Sequence, residues 1–164
     1  MVATGPDLGA ARDLDPVAVA GAYQAWAPPL HRWLSVVLGD ADAAEQLTGT
    51  VFADALARLD DFDGPDELVA AWPFLVAVEH LPEQLPPRLG LAEPKPAGRT
   101  GNPRLDALWL LPADEREVLL LRLVAGLSAA ETGVAVGRRA GAVRELVHSG
   151  LARLAGMTEG GGSR

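Results

Sequence analysis

Hydrophobic residues recur with helical spacing in two segments near the C-terminal end of the chain. The first segment begins at Pro112, where three acidic residues follow within one turn, and its apolar run ends at Gly126. The second spans roughly residues 139–155, and four of its apolar side chains fall on one helical face (Val143, Val147, Leu151 and Leu154). The pattern predicts two helices, each with one buried face.

A short helix is predicted between these two segments. Ser128 is a favourable N-cap, and Glu131 three residues later completes a capping box. Gly137 is placed where a helix commonly ends in a left-handed residue. A helix, a short helix, a tight turn and a longer helix in this order predict a helix-turn-helix.

Asp, Pro and Gly residues divide residues 15–80 into four predicted helices. Pro28-Pro29 is expected to end the first helix and to open the second. The fourth helix, in residues 68–80, is apolar almost all round and therefore buried, and Pro73 is expected to kink or split it. The third helix carries its apolar side chains on one stripe: Ala44, Leu47, Val51, Ala55 and Leu59.

The predicted fold class is all-α, with two small helical domains joined by a linker. Residues 1–14 are expected to form a disordered leader, and residues 15–80 an N-terminal four-helix bundle. Residues 81–104 are rich in Pro and Gly and have no sustained period, which is typical of a linker. Residues 105–156 hold the helix-turn-helix, and residues 157–164 a disordered tail.

Composition restricts the environment and the partners of the chain. The 164 residues include no cysteine, which excludes disulfides and cysteine-ligated zinc. No apolar run approaches the length of a membrane span and no signal peptide is recognisable, so we expect a cytoplasmic protein that does not insert into membranes. Of the net charge of −8, residues 1–79 contribute 13 acidic residues and three arginines, a net −10 that should repel DNA.

The C-terminal segment resembles the promoter-reading domain of extracytoplasmic-function (ECF) sigma factors. The resemblance lies in LP-x-x-x-REVLLLR, in GLS-x-x-E, and in G-x-V-x-x-x-x-H-x-x-x-A-R-L after a glycine-bounded turn. It implies that the last helix is a recognition helix for duplex DNA. Because this helix has few basic groups, we expect its binding to DNA to be weak. The candidate DNA-binding residues are Arg138, Arg139, Arg144 and His148; alternatively, these arginines only solubilise the start of a helix.

The N-terminal half resembles the other domain of the same family. The matching pieces are AYQAWAPPLHRWL, GDADAAEQLTGTVFADAL, the FDGP turn and AAWPF. The resemblance implies that the third helix docks on RNA polymerase. Its candidate contact residues are Glu45, Gln46, Gly49 and Thr50, of which the positions after Glu45 have lost the acidic character typical of the family.

The fourth helix departs from the family at the positions expected to hold the melted promoter strand. Leu75 and Val78 stand where the family has arginines, and Glu79 where it has an asparagine. Pro82 is expected to stop the helix before any basic extension. The aromatic pair Trp72 and Phe74 could stack on an unpaired base, but filling of the bundle core is the favoured interpretation.

The sequence offers no arrangement of residues for catalysis or for a cofactor. The three histidines His31, His80 and His148 lack metal-ligand spacing, and no serine lies in a nucleophile elbow. The acidic run of residues 60–67 lacks the spacing of a calcium loop and reads as a solvated turn. We therefore expect neither an enzyme nor a small-molecule substrate.

Three functions remain open. The first is a sigma-factor-like transcription regulator that acts mainly through protein contacts, with weak or lost promoter melting. Its partners would be the RNA polymerase core, an anti-sigma protein or another regulator of that type. The second is a functional divergent ECF sigma factor that directs polymerase to promoters, and the third is a helix-turn-helix DNA-binding regulator.

Overall fold

The structure, a computed structural model, describes residues 5–84 and 102–160, with side chains for 5–81 and 102–160. These residues form helices and connecting turns, with no strand among them. The chain divides into two compact units, an N-terminal unit (Met1–Gln84) and a C-terminal unit (Leu85–Arg164). The all-α class and the two-domain architecture predicted from the sequence are confirmed. Most of the predicted linker, residues 85–101, lies outside the described residues.

The N-terminal unit contains four α-helices and two short 3-10 helices. The α-helices are α1 (Leu8–Arg12), α2 (Pro16–Leu38), α3 (Ala41–Ala57) and α4 (Trp72–Gln84), with 3-10 helices at Leu59–Asp61 and Asp66–Ala71 between the last two. Helix α2 begins as the sequence predicts, because the Asp15 carboxylate accepts hydrogen bonds from the amides of Val17 and Ala18, both at 3.0 Å. It ends at Gly39, which adopts φ 68°.

Pro28 and Pro29 do not end a helix, contrary to the sequence prediction. Helix α2 runs through both prolines as one element of 23 residues. Trp26 and Leu30, on either side of the pair, are 2% and 0% exposed, so tertiary burial holds the helix together where the local preference would break it. The carbonyl groups that lose their donors belong to Gln24 and Ala25, both on the exposed side of the helix.

The core of the N-terminal unit is built from α2, α3 and α4 and contains most of its aromatic residues. Trp33 and Phe74 meet edge to face with their ring centroids 5.5 Å apart. The Trp72 indole donates a hydrogen bond of 2.8 Å to the Ala55 carbonyl, which satisfies its buried N–H. The stripe predicted for the third helix is buried: Ala44, Leu47, Val51 and Ala55 lie on α3, and Leu59 begins the 3-10 helix that follows it.

Residues 8–12, which the sequence analysis places in a disordered leader, form helix α1. A five-residue helix is unstable alone, but this one is capped by the Asp7 carboxylate, which accepts from the Ala10 amide at 3.0 Å. Leu8 and Ala11 are buried in contact with the rest of the unit, and Arg12 forms an ion pair of 2.8 Å with Asp60. The sequence carried no strong periodicity here, because only two side chains of the helix are buried.

The helix predicted for residues 68–80 is divided just before Pro73, one of the two outcomes expected from the sequence. The preceding residues, Asp66–Ala71, form the 3-10 helix, and Pro73 is the second residue of α4, where a first turn tolerates a missing N–H. Pro82 does not stop the helix at once, since α4 continues to Gln84. The apolar character predicted for this helix is confirmed by the burial of Phe74, Val76 and Ala77.

The C-terminal unit contains the predicted helix-turn-helix. Its α-helices are α5 (Pro103–Leu108), α6 (Ala113–Leu119), α7 (Ala129–Val136) and α8 (Ala140–Gly160), and α6 continues as a π-helical turn over Leu120–Val124. Gly126 (φ 78°) and Gly137 (φ 68°) end the segments as expected. Ser128 and Glu131 form the predicted capping box, with hydrogen bonds of 2.7 and 3.1 Å between side chain and backbone.

Helix α8 differs from the prediction in its length and in its buried face. It extends to Gly160, so that residues 157–160, assigned to a disordered tail from the sequence, are helical. Val143 and Gly150 are buried, whereas Leu151 is 44% exposed. The buried face is therefore rotated from the predicted stripe, because a glycine, invisible to a hydrophobic pattern, forms part of the contact with α6. None of the described helices is long and apolar enough to cross a membrane.

Candidate functional site: the exposed faces of three helices

The turn between α7 and α8 is held by a close approach of backbone to backbone. The Arg138 amide donates a hydrogen bond of 2.8 Å to the Gly133 carbonyl. A Cβ atom on Gly133 would lie 2.4 Å from the Arg138 carbonyl oxygen, so only glycine fits at this position. The contact places Arg138 and Arg139 at the start of α8, the end of a recognition helix that reaches base edges and phosphates.

All four candidate DNA-binding residues are exposed on α8 or on the turn before it. Arg144 and His148 are one helical turn apart and share an outward face. Arg138 forms an ion pair of 2.7 Å with Asp114 at the start of α6. An exposed pair of this kind contributes little to stability, so a phosphate could replace the Asp114 carboxylate as its partner. We call Arg138, Arg139, Arg144 and His148 the recognition face.

A buried carboxylate, which the sequence analysis did not single out, fixes α8 against α6. Glu115 is 5% exposed and accepts hydrogen bonds from the Ser149 hydroxyl and, at 3.1 Å, from Arg153 Nε. Beside it, a Cβ on Gly150 would lie 2.7 Å from Leu119 Cδ1, which shows how closely the two helices approach. Arg153 therefore holds the recognition helix in place through its Nε. The spacing Ser149-x-x-x-Arg153 was the only sequence signal for this cluster.

Arg116, unlike Arg153, is removed from solvent. It is 2% exposed, its guanidinium lies 5.3 Å from the centre of the Trp109 ring, and its Nη1 donates a hydrogen bond of 3.3 Å to the Trp109 carbonyl. Burial lowers the pKa of the Arg116 guanidinium. Burial likewise raises the pKa of the neighbouring Glu117 carboxyl. Arg116 is therefore a core residue and is not accessible to DNA phosphates.

The four residues predicted to face a partner protein lie together on the exposed side of α3. Glu45, Gln46, Gly49 and Thr50 are all exposed, and we call them the α3 face. They are backed by buried Leu47 and Val51, so the apolar frame is intact behind them. A Cβ on Gly49 would meet no atom within 4 Å. The backbone of α3 is therefore accessible at Gly49, with no side chain covering it.

A groove adjoins the α3 face on the side towards α2. Its volume is about 570 Å³ and most of its wall is apolar. The aromatic ring of Tyr23 at its edge is 50% exposed and meets Phe52 edge to face, with centroids 5.1 Å apart. The residues that line the groove are Tyr23, Gln24, Ala27, Pro28 and His31 from α2, and Glu45 and Thr48 from α3.

The exposed side of α4 is apolar and acidic. Trp72 and Phe74 are 6% and 2% exposed, so they fill the core, as the favoured interpretation of the sequence has it. Val78 is 47% exposed. Glu79 accepts hydrogen bonds of 2.6 and 3.2 Å from the Arg58 guanidinium.

Arg58 joins α3 to α4 through several acidic groups. Its hydrogen bond to Glu79 lowers the pKa of the Glu79 carboxyl. It also forms ion pairs of 3.2 Å with Asp54 and 3.4 Å with Asp61. His80 lies 3.0 Å from the Asp54 carboxylate, and hydrogen bonds first from His80 and then from Arg58 lower the pKa of Asp54. In this cluster the only arginine is fully engaged with carboxylates.

The described part of the chain brings together no group of side chains that could hold a metal ion. Among residues 5–84 and 102–160, no three His, Asp or Glu side chains lie close enough to hold a metal ion. His31, His80 and His148 are placed on α2, α4 and α8, and each is surrounded by different groups. What the geometry presents is a set of binding surfaces.

The fold and these surfaces define a class of protein, a two-unit helical protein whose C-terminal unit is a helix-turn-helix. Residues 105–154 match the family model "Sigma-70, region 4". The ECF RNA polymerase sigma factor SigD of Mycobacterium tuberculosis (strain ATCC 25618 / H37Rv) is 55% identical over 49 residues, which are 30% of this chain and 23% of SigD. ShbA, an ECF sigma factor of Streptomyces griseus subsp. griseus, is 43% identical over 60 residues, 33% of this chain and 31% of ShbA.

The whole fold has a counterpart among solved structures. CnrH, solved in complex with the cytosolic domain of CnrY, superimposes with a TM-score of 0.72 over 93% of this chain and 95% of CnrH, at 20% identity. At that identity the likeness concerns the fold alone. The matches to the two relatives span less than a third of their length. The chain is therefore similar to ECF sigma factors through the segment that its relatives match, and its residues 105–154 match the sigma-70 region 4 domain.

Proposed function

We propose that this chain is a sigma-factor-like transcription regulator that acts mainly through protein contacts and has weak or lost promoter melting. The observation that carries the proposal is the exposed side of α4. Val78 is exposed, Glu79 is paired with Arg58, and both aromatic side chains of the first turn are buried. A surface that captures an unpaired strand needs cations for phosphates and open rings for bases, and over residues 72–79 the exposed side of α4 supplies neither.

Protein partners are proposed for the α3 face and the adjoining groove. The face is exposed, and an open glycine interrupts it, which favours close approach by another backbone. RNA polymerase core is the partner that the similarity to ECF RNA polymerase sigma factors suggests. CnrH, which shares the fold, was solved with the cytosolic domain of CnrY, and this supports a partner protein of the anti-sigma kind as the alternative occupant.

Duplex DNA is proposed as a weak ligand of the recognition face. Arg139, Arg144 and His148 are exposed there, and Arg138 can exchange Asp114 for a phosphate. Against this, Glu145 is exposed next to Arg144, and residues 1–79 carry a net charge of −10. Few phosphate contacts imply weak binding with a shallow dependence on salt.

A functional sigma factor is the second candidate. The 55% identity over 49 residues to SigD, an ECF RNA polymerase sigma factor, favours it. Both candidate functions include binding to RNA polymerase and to duplex DNA. They differ in whether the chain helps to open the duplex.

Purified full-length chain and core polymerase separate the candidates. We expect co-purification with the core, together with a gel shift of promoter duplex that is selected from a random library and weakens between about 50 and 200 mM salt. Transcription should start from a template with a pre-opened bubble and be nearly absent from the same template fully paired. Equal transcription from both templates would establish the second candidate. Sharp duplex binding without any affinity for core would favour a plain helix-turn-helix regulator.

A further inference from the structure

The proline pair inside α2 removes the amide donors that would bond two carbonyl groups of the preceding turn. In a helix the Gln24 carbonyl accepts from the amide of residue 28, or from that of residue 29 if the turn widens. Both positions are proline and have no N–H. The Ala25 carbonyl loses its partner at residue 29 for the same reason. In the middle of helix α2, therefore, two carbonyl oxygens lack the main-chain amides that would bond them in a helix without proline.

This gap in the hydrogen bonding of α2 lies in the wall of the groove next to the α3 face. Gln24, which carries the carbonyl, and Pro28, which lacks the amide that would bond it, both line the groove. Glu45 lines it from α3, and Thr48 adds hydroxyl lone pairs, because its own proton is donated to the Ala44 carbonyl at 2.6 Å. The groove thus combines a carboxylate, a hydroxyl oxygen and an unsatisfied carbonyl.

We propose that this groove binds an arginine side chain presented by a partner protein. The proposal rests on the proposed function, in that the partner would be the protein that covers the α3 face. The apolar wall formed by Ala27 and Pro28 suits the aliphatic stem of arginine, and Tyr23, 50% exposed, is an aromatic side chain of the same lining. The head group would donate to the Gln24 carbonyl and to the Glu45 carboxylate.

Charge and geometry favour arginine over the other occupants. The groove belongs to a unit with a net charge of −10 over residues 1–79, and His31 is the only lining side chain that could carry a positive charge. Three kinds of acceptor lie around one space, and a planar guanidinium with five N–H groups can bond several of them at once. An ammonium group is a more compact and more strongly hydrated charge, so lysine should bind less well.

The double variant Pro28→Ala, Pro29→Ala tests the site without removing any charge. It restores the two amides, which would then bond to the carbonyls of Gln24 and Ala25 within the helix. The variant should therefore be more stable than the parent chain and yet bind arginine less well. Pro16→Ala, at the exposed start of α2, is the matched control, because the first turn leaves its amide unbonded in either case.

The probe is N-acetyl-arginine amide, titrated into the full-length chain while the NMR signals of Tyr23 and His31 are followed. We expect saturable shifts with the arginine probe, at least fivefold weaker affinity for the lysine analogue, and at least a tenfold loss for the double variant. Pro16→Ala should match the parent. Equal shifts with arginine and lysine, or an unchanged affinity in the double variant, would overturn the proposal.

A second measurement keeps this proposal separate from the proposed function. If the chain binds core polymerase, the double variant should weaken that binding about tenfold while Glu45→Gln weakens it further. If the chain does not bind polymerase, the titration with the arginine probe still decides, since it needs no partner. Saturable arginine binding without polymerase binding would overturn only the choice of polymerase as partner.

Discussion

Arg58 and Glu79 form a two-pronged ion pair between the end of α3 and the exposed side of α4. Nη1 of Arg58 lies 2.6 Å from Oε2 of Glu79, and Nη2 lies 3.2 Å from Oε1. The same guanidinium lies 5.8 Å from the centre of the Trp72 ring. The pair is exposed, so its effect on stability is small. In the proposed function the pair matters more, because it engages an arginine next to the exposed side of α4 with carboxylates.

Restoring basic and neutral polar groups on α4 should restore promoter opening. In the variant Val78→Arg, Glu79→Asn, one positive charge is gained and one negative charge is removed, and Arg58 loses the Glu79 carboxylate as a partner. Each new charge-assisted hydrogen bond to a phosphate contributes about 1.5–3 kcal/mol, so transcription from a fully paired template should rise at least tenfold. The control Val17→Arg, Asp63→Asn gains the same charge elsewhere on the unit and should leave transcription unchanged. A rise in both variants would attribute the effect to net charge alone.

A side chain at residue 150 should loosen the recognition helix. The Cβ of Gly150→Ala would lie 2.7 Å from Leu119 Cδ1 and 3.3 Å from Glu115 Cβ, and because Leu119 is fully buried, moving its side chain would disturb the core around it. We expect a loss of about 1–3 kcal/mol in the free energy of unfolding of the C-terminal unit, measured in denaturant. Gly156→Ala, where a Cβ meets no atom within 4 Å, should instead stabilise α8 by about 0.5–1 kcal/mol.

The recognition face should be detected by removing a single arginine. Arg144→Ala is expected to weaken binding to the selected promoter duplex by about 1–3 kcal/mol if the side chain reads a base. Arg104→Ala removes the same charge from exposed α5 and should change affinity much less. Should both variants lose affinity equally on specific and on random duplex, the arginines would act only through phosphates, and the salt dependence would become shallower in each.

Acid should destabilise the N-terminal unit through Asp54. Because hydrogen bonds from His80 and Arg58 lower the pKa of Asp54 in the folded chain, the carboxylate stabilises the fold above its unfolded pKa of about 3.9. That stabilisation is lost as the pH falls through the folded pKa. Unfolding of the parent chain should therefore depend on pH below about 4 more steeply than that of Asp54→Asn. Parallel curves for the two chains would show that Asp54 makes no differential contribution.

The elements that the sequence predicted correctly are those specified by local rules. Ser128 and Glu131 form their capping box within four residues, and Gly137 adopts the left-handed conformation that a glycine permits without strain. The stripe predicted for the third helix follows from helical periodicity alone. The candidate faces on α3 and α8 could be placed for the same reason, since each lies opposite an apolar stripe.

The features that could not be predicted depend on contacts between distant residues. Pro28 and Pro29 remain helical because Trp26 and Leu30 are buried on either side of them, which a local rule for proline cannot anticipate. The Glu115 cluster joins residues 34 and 38 positions apart. In the sequence, Glu115, Ser149 and Arg153 look like any other polar residues on the surface of a helix.

The central claim, that α4 lacks the means to hold an opened strand, is tested most directly by permanganate footprinting. Full-length chain, core polymerase and a fully paired promoter duplex are mixed, and the reactivity of thymines around the start site is measured. The account predicts a bound complex whose thymines stay unreactive in the parent chain and become reactive with Val78→Arg, Glu79→Asn. Reactive thymines in the parent complex would contradict it.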